Sequence, residues 1–259
     1  MFTYTEIDPV ALQLGPLAVR WYGLMYVIGI LGGWWLGRIR SRQPWINVSE
    51  QQVDDLVTWI TVGIIIGGRM GSVLFYNFEA FLDRPAMLFE IWNGGMSFHG
   101  GLIGVVAALW FYGRRNDLAL LELTDFVAPL IPIGLGAGRI GNFINGELWG
   151  KQTDVPWAVV VDGVARHASQ LYEATLEGLV LFIVLLAYGS KQRPRMAVSA
   201  FFLLGYGLSR CAVEFVRLPD EHIGYMAWGW VTRGQVLTLP MIIGGIALLL
   251  IAYQRDLQR

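Results

Sequence analysis

Apolar residues gather in seven runs along this chain, at about 19–37, 56–76, 97–112, 121–138, 170–188, 196–216 and 235–253. Most approach the roughly 20 residues that a helix needs to cross the hydrocarbon core of a bilayer. The third run is short and opens beside His99, and Asp125, Pro129 and Pro132 interrupt the fourth. Basic clusters follow the first run (Arg38, Arg40, Arg42), the third (Arg114, Arg115), the fifth (Lys191, Arg193, Arg195) and the seventh (Arg255, Arg259). Seven spans put all four clusters on one side, which the positive-inside rule makes cytoplasmic. The N-terminus is then outside and the C-terminus inside, while Glu79, Asp83, Glu90, Glu147, Asp154, Asp162, Asp220 and Glu221 face outward. The pattern predicts an all-α polytopic membrane protein, a single integral membrane domain over residues 1–259. Only the connection 151–168 departs from it. Trp157 to Val161 is β-like and Asp162-Gly163 is a hairpin turn signal, which predicts a small external β element. Ser169 can cap the fifth span, with Glu173 in its first turn.

Composition agrees with this and narrows the classes. Hydrophobic residues make up 55% of the chain and charged residues 15%, with a mean hydropathy of +0.50. Soluble domains carry roughly 25% charged residues. A net charge of −1 offers nothing to nucleic acid. The single cysteine, Cys211, excludes an internal disulfide and a cysteine metal cluster. No basic segment, short apolar core and small-residue cleavage site open the chain, so the first span is expected to stay. Glycines recur four apart (Gly29/Gly33/Gly37, Gly63/Gly67/Gly71, Gly100/Gly104, Gly134/Gly138), a spacing that lets helices approach closely in lipid. Trp21, Trp92, Trp149, Trp157, Trp228 and Trp230 suit an outer aromatic belt, as in any membrane protein.

Candidate chemistry sits where polar residues break the apolar pattern. GRIGNFINGELWG, residues 138–150, sets Arg139, Asn142, Asn145 and Glu147 among glycines at the mouth of the fourth span. Polar groups at membrane depth are costly and tend to face a cavity or a partner. The segment reads either as a site for a polar headgroup or as a loop that ends a helix. On the sixth span Tyr206, Arg210, Glu214 and Arg217 share one helical face. They can be a structural ion pair, but two arginines against one glutamate leave a spare positive charge suited to an anion such as a lipid phosphate. Arg69, inside GIIIGGRMG of the second span, reads as paired with a neighbouring acid. His99 in GGMSFHGG is either a hydrogen-bonded packing group or a proton acceptor, a role that imidazole side chains commonly fill. His167 reads as a loop anchor, and His222 has no supporting context. Tyr22 and Tyr26 lie one turn apart on the first span, where interface anchoring is the ordinary role.

No HExxH, Walker A or Gly-x-Ser-x-Gly motif occurs, so zincin, P-loop and hydrolase chemistry lack their residues. Cys211 sits mid-span with no histidine near it in sequence, which disfavours a cysteine nucleophile. A pocket near the outer leaflet with arginines, amides, a glutamate and a histidine suits binding and cleavage of an anionic phospholipid. Two other classes compete. A transporter of an anionic solute also uses intramembrane arginines, but no inverted repeat is visible. An intramembrane protease lacks its serine–histidine, paired-aspartate or zinc signature.

GRIGNFINGELWG resembles the signature segment of the bacterial prolipoprotein diacylglyceryl transferases. The likeness continues through RWYGLMY, GGMSFHGGLIG, RHASQLYEA, GYGLSRCAVEFVRLPD and RGQVLTLPM, in order along nearly the whole chain. It implies an enzyme of the bacterial inner membrane, with its active site toward the outer leaflet. Such an enzyme moves an sn-1,2-diacylglyceryl group from phosphatidylglycerol to the lipobox cysteine of a prolipoprotein signal peptide, releasing glycerol 1-phosphate. It further implies Arg139 and Arg210 as phosphate donors and His99 as the base. Asn142 and Asn145 would bond the headgroup or orient Arg139, and Glu147 and Glu214 would hold arginines. Tyr26, Tyr206 and Arg217 would line the pocket, and Gly150 would allow close backbone approach. No metal or cofactor is required.

Overall fold

The protein is described by a computed structural model covering residues 2–15, 17–90, 94–219 and 224–258; Trp92, Asp220, Glu221, His222 and Arg259 lie outside these. In chain order its elements are β1 (Phe2–Thr3), β2 (Val10–Leu14), β3 (Leu17–Arg20), α1 (Trp21–Arg40), α2 (Glu50–Tyr76), α3 (Phe78–Asp83) and α4 (Phe98–Arg115). There follow α5 (Leu120–Val127), α6 (Ile131–Ile144), β4 (Val159–Val161), β5 (Val164–Arg166), α7 (Ser169–Glu173), α8 (Leu181–Tyr188), α9 (Ala197–Glu214) and α10 (Arg233–Leu257). A 3₁₀ turn, Ala128–Leu130, fuses α5 to α6, and a π-helical segment, Ala174–Val180, fuses α7 to α8.

Five helical runs among the described residues are long and apolar enough to cross a membrane: α2, Leu120–Ile144, Ser169–Tyr188, α9 and α10. The first and third expected spans are helices as well, α1 and α4. Glycines, aromatic residues and terminal arginine pairs dilute their apolar content. Exposed Ile65, Leu179, Ile183, Ile243 and Leu250 give these helices the apolar outer surface that lipid requires.

The chain divides into two compact units. The smaller runs from Gly37 to Thr124. Ser49 starts α2 with a capping box, its hydroxyl accepting from Gln52 N at 3.2 Å while its own N–H donates to Gln52 Oε1 at 2.9 Å. This lengthens the helix by a turn and a half beyond the apolar run. Glycines of α2 pack on glycines of α4: a Cβ on Gly71 would lie 2.7 Å from the Cα of Gly100. The four-residue spacing therefore works as helix packing. Arg69, expected to meet an acid, donates instead to carbonyls: Leu88 at 3.3 Å, Gly95 at 3.3 Å, and those of Met87 and Gly94. A guanidinium can satisfy a cluster of chain-end carbonyls as well as a carboxylate, and here it ties down the segment after α3.

The larger unit holds the chain up to Leu36 and from Asp125 onward. The β4–β5 hairpin falls where Asp162-Gly163 predicts it, with φ of +51° and +77° at the turn as a type I′ loop demands. Its partner β1 was not foreseen. The strand pairs in parallel with β4, Phe2 opposite Val159 and Thr3 opposite Val160. Beyond it Tyr4 packs edge-on against Phe143 and Trp149 and donates to Ile144 O at 2.9 Å. Asp125, an oddity in the fourth apolar run, has a structural role. Its carboxylate accepts from Met196 N at 2.5 Å, Ser199 N at 2.8 Å and Ser199 Oγ at 2.6 Å, closing the start of α9.

Candidate functional site

The helix that carries the site runs further than the apolar pattern suggests. Pro132 stands in the first turn of α6, where a missing N–H costs nothing, and the helix continues to Ile144. Arg139 and Asn142 are therefore helical rather than in a loop, and the turn comes after Asn145, at Gly146, with φ of +69°. At Gly136, one turn before Arg139, α6 meets the π-helical segment: a Cβ on Gly178 would lie 2.7 Å from the Cα of Gly136. Only two glycines allow that approach, and it brings Arg139 against two glutamates. The segment's wider turn sets Glu173 and Glu177, four residues apart, nearly in line on that face.

Glu173 is fully buried and gathers three arginines. Arg139 Nε lies 2.9 Å from Glu173 Oε2, while Glu173 Oε1 accepts from Arg217 Nη1 at 2.6 Å and from Arg210 Nη1. Glu214 binds Arg210 Nη2 and stands 3.3 Å from Arg217 Nε. Glu177, also fully buried, lies 3.9 Å from Arg139 Nη2 and 3.8 Å from Arg210 Nη1, with neither oxygen hydrogen-bonded. Three arginines face three glutamates, two of which, Glu173 and Glu177, come from a different helical run. Buried charges must be paired to be tolerated, and this sharing meets that demand.

The three guanidinium groups are not equivalent. Arg210 has both terminal nitrogens on carboxylates, whereas Arg139 meets an acid closely only through Nε. Its two terminal nitrogens make no hydrogen bond among the described residues, and its side chain is 21% exposed. A guanidinium fork held at its base and open at its tip is suited to bidentate capture of a phosphate or carboxylate.

The other expected site residues divide. Asn142 and Asn145 donate their amides to Glu147, at 3.2 Å each. Glu147 therefore holds the two amides rather than an arginine, which corrects the expectation for it; amide donors and an acceptor carboxylate on one turn satisfy each other locally. Glu147 and Asn145 line an open cleft of about 660 Å³ together with Arg20, Tyr22 and Val27. Tyr26 is about half exposed, its ring edge-on to Tyr22 at 5.1 Å. Tyr206 is half-buried and stacks on Phe202. Gly150 allows a close approach, but of protein: a Cβ there would lie 2.6 Å from Val216 O and 2.9 Å from His167 Cβ. Ser169 does not cap its helix. It donates to Leu148 O at 2.7 Å, and Ala168 takes the cap position. His167 anchors its loop, with Nδ1 3.1 Å from the Tyr172 hydroxyl, which also accepts from Trp157 Nε1 at 2.9 Å. Burial, and then the charge of Lys151, lowers the His167 pKa. His99 belongs to the smaller unit, exposed in the first turn of α4.

Comparison with known proteins points one way. The family model described as prolipoprotein diacylglyceryl transferase matches residues 9–251. The chain belongs to that family. A phosphatidylglycerol–prolipoprotein diacylglyceryl transferase of Ectopseudomonas mendocina (strain ymp) is 56% identical over 260 residues, covering 99% of this chain and 98% of its own. Relatives of the same description from Pseudomonas syringae pv. syringae (strain B728a) and Pseudomonas aeruginosa (strain UCBPP-PA14) are 55% and 54% identical, each over 99% of this chain and 97% of their own. In this diacylglyceryl transferase family member, Glu173 and Glu177 are the members of the arginine cluster that the motifs do not mark. Two acids four apart in an otherwise apolar span were the available signal.

Proposed function

We propose that this protein transfers the sn-1,2-diacylglyceryl group of phosphatidylglycerol to the lipobox cysteine thiol of a prolipoprotein. The sulfur forms a thioether with the glycerol carbon that carried the phosphate. The carbon–oxygen bond breaks, glycerol 1-phosphate leaves, and the thiol proton passes to a base. The observation that carries this reading is the open fork of Arg139 above a buried cluster of acids. A phosphate monoester leaves carbon reluctantly unless its growing charge is met, and a preorganised donor of this kind is typically worth 10²–10³ in rate.

Arg139 grips the phosphate, and Arg210 and Arg217 contribute fixed positive charge from behind it. Glu173 and Glu214 hold the three arginines in place, and Glu147 with its two asparagines meets the glycerol headgroup. A free thiol has a pKa near ~8.5, so a base helps it ionise at neutral pH, and His99 is proposed for that on its chemistry. The protein spans the bacterial cytoplasmic membrane seven times, with the N-terminus and active site outward. Both substrates reach it from within the bilayer.

Purified protein in detergent, phosphatidylglycerol and a synthetic lipobox peptide test this. The peptide should gain the mass of diacylglyceryl as glycerol 1-phosphate appears in equal amount, and a peptide with serine for cysteine should give neither. Glycerol phosphate released equally with the serine peptide would mean hydrolysis and would overturn the transfer.

A further inference from the structure

The start of α10 bears on the arginine cluster from a side that the reaction as described does not use. Thr232 caps this 25-residue helix, its hydroxyl accepting from Gln235 N at 3.2 Å. The same hydroxyl donates to Glu214 Oε2 at 2.6 Å. Two residues on, Gly234 has no side chain because there is no room for one: a Cβ would lie 2.5 Å from Glu214 Oε1 and 2.7 Å from Oε2. Glu214 thus rests on the first turn of α10, against the positive end of a long helix dipole. Thr232 is 2% exposed and Glu214 4% exposed, so water does not compete for these contacts. The other face of the carboxylate binds Arg210 and Arg217, which both also reach Glu173, with Glu177 3.8 Å from Arg210.

We propose that Thr232 and Gly234 are positioning residues, which fix the Glu214 carboxylate and through it the directions of the Arg210 and Arg217 guanidinium groups. The inference rests on the transferase reading above. Thr232 Oγ leaves Glu214 one fully committed oxygen, so the other faces the arginines in one orientation only. Gly234 lets the helix end come close enough for that bond to form.

Because Thr232 also caps a helix, the test must separate the two roles. Thr232→Ser keeps both the cap and the donated bond. Thr232→Asp keeps the cap, since aspartate is among the best N-caps, but an ionised carboxylate cannot donate to Glu214. In the peptide assay, Thr232→Ser should retain turnover close to wild type. Thr232→Asp should lose kcat roughly 10- to 100-fold, by analogy with the loss of groups that orient metal ligands, with little change in KM for phosphatidylglycerol. Gly234→Ala should behave as Thr232→Asp does. In a Glu214→Gln background, Thr232→Asp should cost little more, because the group it positions is gone. Thr232→Asp with wild-type kcat, or a full additional loss in the Glu214→Gln background, would overturn the proposal. Absence of transfer by the wild-type protein would instead remove the transferase reading, so the two failures are told apart by the control.

Discussion

Glu173 is the residue on which the arginine cluster depends most, so Glu173→Gln is the most informative single change. The glutamate is fully buried and serves Arg139, Arg210 and Arg217 at once. The substitution removes the carboxylate that all three arginines share, in a site shielded from water. Breaking a buried pair by removing one partner costs about 3–5 kcal/mol, and glutamine, which keeps one acceptor oxygen, should fall toward about 3. At roughly 2–4 °C per kcal/mol for a chain of this size, the apparent melting temperature in detergent should drop by roughly 6–12 °C. Arg139 would lose the anchor of its Nε, so turnover should fall by about 10² or more even at temperatures where the variant is folded. Tryptophan fluorescence against temperature and glycerol 1-phosphate release at about 20 °C below the melting point, a gap of about two to three times the expected shift, read the two effects separately. A variant melting within about 1 °C of wild type and turning over within about twofold would refute the account of Glu173 as the common anchor.

Other changes probe the frame around the site. Gly178→Ala places a methyl 2.7 Å from Gly136 Cα, and forcing α6 outward should cost about 1–3 kcal/mol and reduce transfer, measured by melting and by peptide mass. Tyr4→Phe removes the bond to Ile144 O and should lower stability by about 1 kcal/mol with KM unchanged, since the substitution leaves the ring packing in place. Asp125→Ala uncaps α9 and should cost about 1–2 kcal/mol, visible as a lower melting temperature without a change in pH profile. His167 is held below its ordinary pKa by burial and then by Lys151, so the folded state favours its neutral form. Its contribution is present above the unfolded value near ~6.5 and is lost as pH falls from there through the lowered folded value. The melting temperature should decline over that window, and less so in His167→Gln.

How much of this could be read without coordinates follows from how local each feature is. Tyr206, Arg210, Glu214 and Arg217 are spaced so that any helix aligns them, and the Arg210–Glu214–Arg217 contacts follow. The Asp162-Gly163 turn is likewise written in a few adjacent residues. Non-local contacts were not legible. The pairing of β1 with β4 joins residues some 157 positions apart (Phe2 with Val159), and no local pattern specifies a partner at that distance. The charge balance of the site depends on Gly136 and Gly178 admitting the π-helical segment, which moves two glutamates onto arginines of other helices. Arg69 reads as paired with an acid because a membrane arginine needs a partner; its partners are backbone carbonyls, which every residue carries and no motif marks.

The most direct test of the central claim, that the open guanidinium of Arg139 meets the departing phosphate, is the rate of glycerol 1-phosphate release by Arg139→Ala at saturating phosphatidylglycerol and lipobox peptide. The account predicts that kcat falls by about 10²–10³ while the protein remains folded, because the lost donor acts in the transition state. A kcat within about tenfold of wild type, with only KM raised, would contradict it and reduce Arg139 to a residue that helps the lipid bind.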